Sequence, residues 1–127
     1  MSVNKAMVVG HLRRDPEIRT LPSGQSVASF PVATTDRFNN PSGQRQERTT
    51  WHRVVAFGKL ADICQRLLSK GRLVYVEGRL ATRSYQARDG SGVRYQTEIV
   101  ARQLRLLANG TKGTAADKAA ASDDIPF

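Results

Sequence analysis

The sequence has little of what secreted scaffolds, zinc proteins and membrane proteins usually carry. It holds one cysteine, Cys64, in 127 residues, so no disulfide can form within the chain. Its two histidines are far apart, and no Cys/His cluster has the spacing of a zinc site. No apolar run approaches the roughly 20 residues of a membrane span, and the N-terminus lacks the apolar stretch of a signal peptide. We therefore expect a cytoplasmic protein with no metal site and no membrane partner.

Patterns that carry catalysis are missing as well. Acidic residues number 11 against 20 Lys and Arg, and neither close acidic pair, 15/17 or 123/124, has an evident buried pocket that would shift a pKa. No Ser/His/Asp or Cys/His arrangement can be argued, and no glycine pattern of a Walker or Rossmann phosphate site occurs. We predict that the chain is not an enzyme, has no catalytic residues and uses no cofactor.

Positive charge is abundant and unevenly distributed. The formal net charge is +9; residues 1–107 hold 18 basic and 8 acidic residues, whereas residues 108–127 hold 2 and 3. Most of the basic residues are arginine, whose planar guanidinium binds phosphate and stacks on bases. A basic body of this kind is typical of a nucleic-acid-binding protein, with ribosomal, RNA and membrane-surface binding as alternatives on charge alone.

The composition divides the chain into two regions. Residues 108–122 have no large apolar side chain, which is typical of a mobile linker. The last five residues then combine acidic and bulky side chains: Asp123, Asp124, Ile125, Pro126 and Phe127. We predict a folded domain over residues 1–107 and, over residues 108–127, a disordered tail made of a linker and an acidic tip that another protein holds.

The folded region reads mostly as strands. Runs of apolar and β-branched residues, separated by Pro/Gly/Asn clusters, predict about five strands, over residues 3–12, 27–35, 51–57, 73–80 and 95–107. One apolar stripe at helical spacing runs from Leu60 to Leu68 and includes Cys64, which we expect to be buried. Lys70 in its last turn and Gly71 after it suggest the helix C-terminus. This order predicts an all-β, five-stranded OB-fold barrel with one short helix between strands 3 and 4.

Aromatic rings and arginines occur together in three places. Binding single strands without reading their sequence requires positive charge along the phosphates and flat rings on which any base stacks. The third predicted strand places Trp51, Arg53 and Phe57 on one face, and two polar stretches outside the predicted strands carry the other rings. The candidate single-stranded DNA-binding residues are Phe38, Trp51, Arg53, Phe57, Arg83, Tyr85 and Arg94. We predict that they line one groove, together with Tyr95; a core role is the alternative for Trp51, Phe57 and Tyr95, because strands favour aromatics.

Several motifs resemble bacterial single-stranded DNA-binding proteins. They cover residues 3–12, 15–19, 50–61, 70–78 and 94–100, including the triplet Trp51-His52-Arg53, and the acidic tip at residues 123–127. The resemblance implies an OB-fold homotetramer wrapped by single-stranded DNA, with Phe38, Trp51, Phe57 and Tyr85 as stacking rings and His52 at a subunit interface. It also implies that the tip docks on replication, recombination and repair proteins at the nucleoid.

Two other functions fit the same residues. Stacking rings and an OB-fold also serve single-stranded RNA. A different class is an interaction hub, whose barrel mainly oligomerises while the tip does the work. A further hypothesis links the two regions: the acidic tip folds back on the basic groove and weakens DNA binding at low salt.

Overall fold

A computed structural model describes residues 1–108 of the chain, so the predicted linker and tip lie almost wholly outside it. The described residues form six strands and one helix. In chain order these are β1 Ala6–Leu12, β2 Glu17–Thr20, β3 Ser26–Asn39, β4 Arg45–Phe57, α1 Lys59–Leu67, β5 Leu73–Gln86 and β6 Val93–Leu106.

Five of the strands close into a barrel. The neighbours run β1-β5-β6-β4-β3, and β3 returns to β1 through the pairs His11↔Ala33 and Leu12↔Val32. All pairings in this ring are antiparallel except the short parallel contact of β4 with β6. The helix connects the third and fourth barrel strands, so the predicted OB-fold barrel is confirmed. The four-residue strand β2 pairs only with β3 and was not predicted.

The barrel interior is filled by alternate residues of the strands. Phe30, Val54 and Val76 have at most 2% of their surface exposed, and the helix covers one end of the core with Ala61 and Cys64. The prediction that Cys64 is buried is confirmed. Burial raises the pKa of its thiol from 9.0 to about 12, so the thiol is protonated and unreactive at neutral pH.

The helix ends earlier than predicted. Leu68 already has an extended backbone, and the amide of Lys70 donates to Asp15 Oδ1 at 2.7 Å instead of lying in the last helical turn. Gly71, with φ of +90°, belongs to the turn that leads into β5, where its amide donates to the carbonyl of Leu12 at 2.8 Å. The predicted helix C-terminus at Lys70 and Gly71 is therefore wrong, because these residues bind β1 and the loop after it.

Two hairpins extend well beyond the barrel wall. The β3–β4 ladder continues to Asn39↔Arg45, and the β5–β6 ladder continues to Gln86↔Val93. Residues 37, 38, 45 and 48, expected in a loop, are therefore strand residues, and so are residues 83 and 85. Both faces of these extensions are exposed and mostly polar, with scattered rings on either face, so the sequence shows no hydrophobic alternation there. Backbone pairing and cross-strand contacts such as Arg37 Nε to Glu47 Oε1 at 2.9 Å hold them together.

Two glycines allow the strands to cross closely. A Cβ on Gly10 would collide with the backbone carbonyl of Ala33, where β1 passes from β5 to β3. A Cβ on Gly78 would collide with the carbonyl of Val100, at the bulge that bends β5. Barrel closure therefore requires the absence of a side chain at both positions. Within residues 1–108, no helix has the length and hydropathy needed to span a bilayer.

Candidate nucleic-acid interface

The outer face of β4 carries the ring–arginine–ring alternation that the sequence predicted. His52 is half-buried and Val54 is fully buried on the inner face, so Trp51, Arg53 and Phe57 lie on the outer one. The Trp51 side chain is 58% exposed and that of Phe57 is 40% exposed. Neither ring is a core residue of this chain, and both present apolar surface on the outside of the barrel.

A buried carboxylate joins this face to the β5–β6 hairpin. Arg53 Nε donates to Glu98 Oε2 at 2.6 Å, and Arg83 Nε lies 3.0 Å from Glu98 Oε1. Tyr85 lies two residues after Arg83 on β5, so the two side chains share a face, and Arg94 is the direct cross-strand partner of Tyr85 on that face. The geometry thus brings six of the seven predicted side chains to one side of the molecule.

The surface between these strands is concave. Two adjoining depressions share Ser29 and Arg53; the first reaches Trp51, and the second reaches Phe57 and Arg83. We call the continuous surface from Trp51 to Phe57 the groove. Arginines contribute positive charge along it, and Asp15, Glu17 and Glu98 also border the two depressions. Exposed rings beside arginines are the combination needed to hold a nucleic-acid backbone and its bases.

Phe38 does not join the groove within one chain. It lies five positions beyond Ala33, the partner of Trp51, and residues an odd number apart on a strand point to opposite faces. Its ring lies under the guanidinium of Arg48, with Cζ 5.2 Å from the ring centroid. The prediction of a single groove for all rings is therefore wrong for Phe38, because the register of β3 sends it to the other face of the hairpin.

Tyr95 departs from the prediction for the same reason. It pairs with Ser84, so it lies on the face of the hairpin opposite to Tyr85. Its side chain is 75% exposed, which excludes the alternative of a core residue. Tyr95 is thus a surface ring away from the groove.

An arginine that was not among the candidates lies over the central ring. Arg13 Cζ is 5.6 Å from the centroid of the Trp51 ring, within the range of a cation–π contact. Arg13 follows β1, 38 positions before Trp51, so only the barrel closure reveals the contact. It brings a further positive charge to the Trp51 end of the groove.

The His52 side chain lies on the face of β4 opposite to Trp51 and Arg53, although His52 also borders the first depression. Its Nε2 is 2.9 Å from the hydroxyl of Thr34, on the neighbouring strand. This places it on the side of the β3–β4 hairpin that also carries Phe38. The tip residues 123–127 lie outside the described part of the chain.

The fold and the groove together define a class: an OB-fold barrel with exposed rings and arginines on one side. The sequence model of the "Single-strand binding protein family" matches residues 3–107. The chain belongs to this family.

Individual proteins with similar sequences carry the same family name. "Single-stranded DNA-binding protein 1" of Chlorobaculum tepidum is 48% identical over 124 residues, covering 98% of this chain and 76% of that protein. The single-stranded DNA-binding protein of Neisseria meningitidis serogroup B is 47% identical over 107 residues, which cover 84% of this chain and 61% of that protein. The chain thus matches less than two thirds of the Neisseria protein's length.

Solved structures that superpose on this barrel include one complex with single-stranded DNA. The Plasmodium falciparum SSB in complex with ssDNA superposes with a TM-score of 0.77 at 33% identity, covering 84% of this chain and 96% of that one. A deletion mutant of the single-stranded DNA binding protein from Thermus aquaticus gives a TM-score of 0.72 at 30% identity, covering 83% of this chain and 50% of that one.

Proposed function

We propose that this chain binds single-stranded DNA without reading its sequence. The observation that carries the proposal is the exposed Trp51 ring beside Arg53 in the groove, on a barrel of the single-strand binding protein family. An exposed ring can stack on any unpaired base, because every base has a π-face, whereas paired bases hide theirs. The arginines bind the phosphates that connect those bases. No catalytic step is needed for this activity.

Each candidate residue has a distinct role in the proposal. Trp51 and Phe57 are the stacking rings of the groove, and Tyr85 extends that row along the β5–β6 hairpin. Arg53, Arg83 and Arg94 bind phosphate along the same side. Phe38, with Arg48 over its ring, supplies a stacking site on the other face of the β3–β4 hairpin, which a strand reaches by passing around the hairpin.

A competition assay tests the proposal. Fluorescence anisotropy of a labelled oligo(dT) is followed while unlabelled oligo(dT), oligo(dC), oligo(rU) or duplex DNA is added. We expect both unlabelled DNA single strands to displace the probe at similar concentrations and duplex DNA to displace it poorly. Equal displacement by oligo(rU) would extend the proposed function to single-stranded RNA. Displacement by duplex DNA as strong as that by oligo(dT) would contradict the proposed preference for single strands.

We propose a homotetramer as the assembled form. The strand β1 pairs with β5 over Ala6–His11 but meets β3 only at its last two residues, so most of one strand edge is unpaired within the chain. Met7 and Val9, on its outer face, are 61% and 51% exposed. An unpaired strand edge with exposed apolar side chains suits pairing of β1 with a strand of a second copy of the chain. We place His52, on β4, at a different contact between subunits. Light scattering after gel filtration should give four times the 14.0 kDa chain mass.

We further propose that residues 108–127 act separately from the barrel of residues 1–107. The tip can place Ile125 and Phe127 in an apolar pocket of a replication, recombination or repair protein, while Asp123 and Asp124 pair with basic groups around it. Deleting residues 123–127 should abolish recruitment of such partners and preserve binding of oligo(dT) at physiological salt. Loss of DNA binding in this variant would contradict the separation of the tail from the barrel, whereas DNA binding that is kept while most of the protein's activity is lost would favour the hub. The proposed place of action is the cytoplasm, at the nucleoid.

A further inference from the structure

Glu98 stands out because it is an acidic residue at the bottom of a basic groove. Among residues 1–108 only two polar residues are buried, Ser29 and Glu98, and Glu98 is 8% exposed. Both of its carboxylate oxygens contact arginines: Oε2 accepts from Arg53 Nε at 2.6 Å, and Oε1 lies 3.0 Å from Arg83 Nε. The three residues come from three different strands, β4, β5 and β6.

The atoms used in these contacts matter for what the arginines can still bind. A guanidinium has five N–H groups, one on Nε and four on the two terminal nitrogens. Arg53 reaches Glu98 through Nε, and Arg83 does so mainly through Nε, with its Nη2 at 3.5 Å from Oε2. Terminal N–H groups of both side chains thus remain for a phosphate oxygen.

We propose that Glu98 is a positioning residue of the groove, a buried carboxylate that holds Arg53 and Arg83 as a fixed pair for the DNA backbone. The inference rests on the proposed single-stranded DNA binding. The trio keeps one net positive charge, so the groove still attracts a phosphate. Without the carboxylate, two neighbouring guanidinium groups would repel each other and move apart. Each long side chain would then lose more rotamer freedom on binding.

A purely electrostatic view of Glu98 predicts the opposite sign. An acidic group beside bound DNA repels the phosphates, so its removal should strengthen binding and steepen the salt dependence. The sign of the change in affinity therefore distinguishes a positioning role from a merely repulsive charge.

Glu98→Gln tests this, with Glu47→Gln as the matched control. Glu47 also pairs with an arginine, Arg37, but both side chains are exposed and lie at the far end of the β3–β4 hairpin, so the control reports the loss of one acidic charge and of one exposed ion pair away from the groove. We expect Glu47→Gln to bind labelled oligo(dT) as tightly as wild type or slightly more tightly. We expect Glu98→Gln to bind about fivefold more weakly, from the ordering of two freed side chains. This deficit should persist at high salt, where charge effects are screened. Binding by Glu98→Gln as tight as that of the control would overturn the inference.

A charge-preserving variant keeps the test valid if the glutamine variant unfolds. Glu98→Asp retains the carboxylate but is one methylene shorter, so it cannot span both arginines in place. We expect it to bind oligo(dT) about threefold more weakly than wild type, since one arginine is freed, with an unchanged salt slope. Equal affinity, in a variant with a wild-type melting temperature, would contradict the positioning role. Failure of the wild-type protein itself to bind oligo(dT) would instead contradict the proposed function.

Discussion

Replacing Trp51 by alanine removes the ring that the proposed function depends on most. The ring is 58% exposed, so its loss takes little from the core, and we expect the free energy of unfolding to change by about 0.5 kcal/mol or less. Arg13 lies over the ring, so we expect one base to stack on what remains open. Losing one stacked base costs about 2 kcal/mol, which corresponds to a roughly 30-fold increase in Kd.

The assay is anisotropy of a short labelled oligo(dT), because the variant lacks the only tryptophan. Tyr95→Ala is the matched control: it removes an aromatic ring that is 75% exposed but lies on a hairpin face away from the groove. We expect its Kd to equal that of wild type, and Trp51→Phe to fall between wild type and Trp51→Ala. A loss below threefold for Trp51→Ala, or an equal loss for Tyr95→Ala, would refute the reasoning.

Three further predictions follow from other parts of the molecule. Arg13→Ala should flatten the log–log salt dependence of oligo(dT) binding by about 0.7, the value for one phosphate contact, while Arg13→Lys retains the slope; identical slopes for all three proteins would exclude a phosphate contact of Arg13. Gly78→Ala forces a methyl group against the carbonyl of Val100 and should cost about 1–3 kcal/mol of stability, seen as a lower Tm; an unchanged Tm would show that the bulge adapts. Burial raises the pKa of Cys64 from 9.0 to about 12, so the folded state holds a proton that the unfolded state releases between these values. The stabilising effect is complete below pH 9 and is lost as the pH rises towards 12, so urea unfolding should show stability falling over this range in wild type and less so in Cys64→Ala; parallel profiles would contradict it.

Local periodicity explains what could be predicted from the sequence. The stripe that contains Cys64 and the alternation of Trp51, Arg53 and Phe57 each arise within one element, so the face of each residue follows from its spacing. The barrel class followed from the order of strands and helix. Trp51 is exposed, as expected for a residue that shares a strand face with Arg53.

The features that escaped prediction depend on pairing between distant segments. Glu98 contacts Arg53 across 45 positions, and nothing in its own strand distinguishes it from a solvent-exposed acidic residue. The faces of Phe38 and Tyr95 depend on hairpin register, which polar stretches without hydrophobic alternation do not specify. Strand β2 has only four residues, of which one, Ile18, is a bulky apolar residue, so it carried no strand pattern.

Intrinsic fluorescence of the single tryptophan tests the central claim most directly. Trp51 emission is followed while oligo(dT) is added at two salt concentrations. The proposed stacking predicts strong quenching that saturates. It also predicts that the binding constant falls by about 0.7 log units per phosphate neutralised for each tenfold increase in salt concentration. Binding of oligo(dT), seen by anisotropy, without any change in Trp51 emission would contradict the claim that the groove stacks bases on this ring.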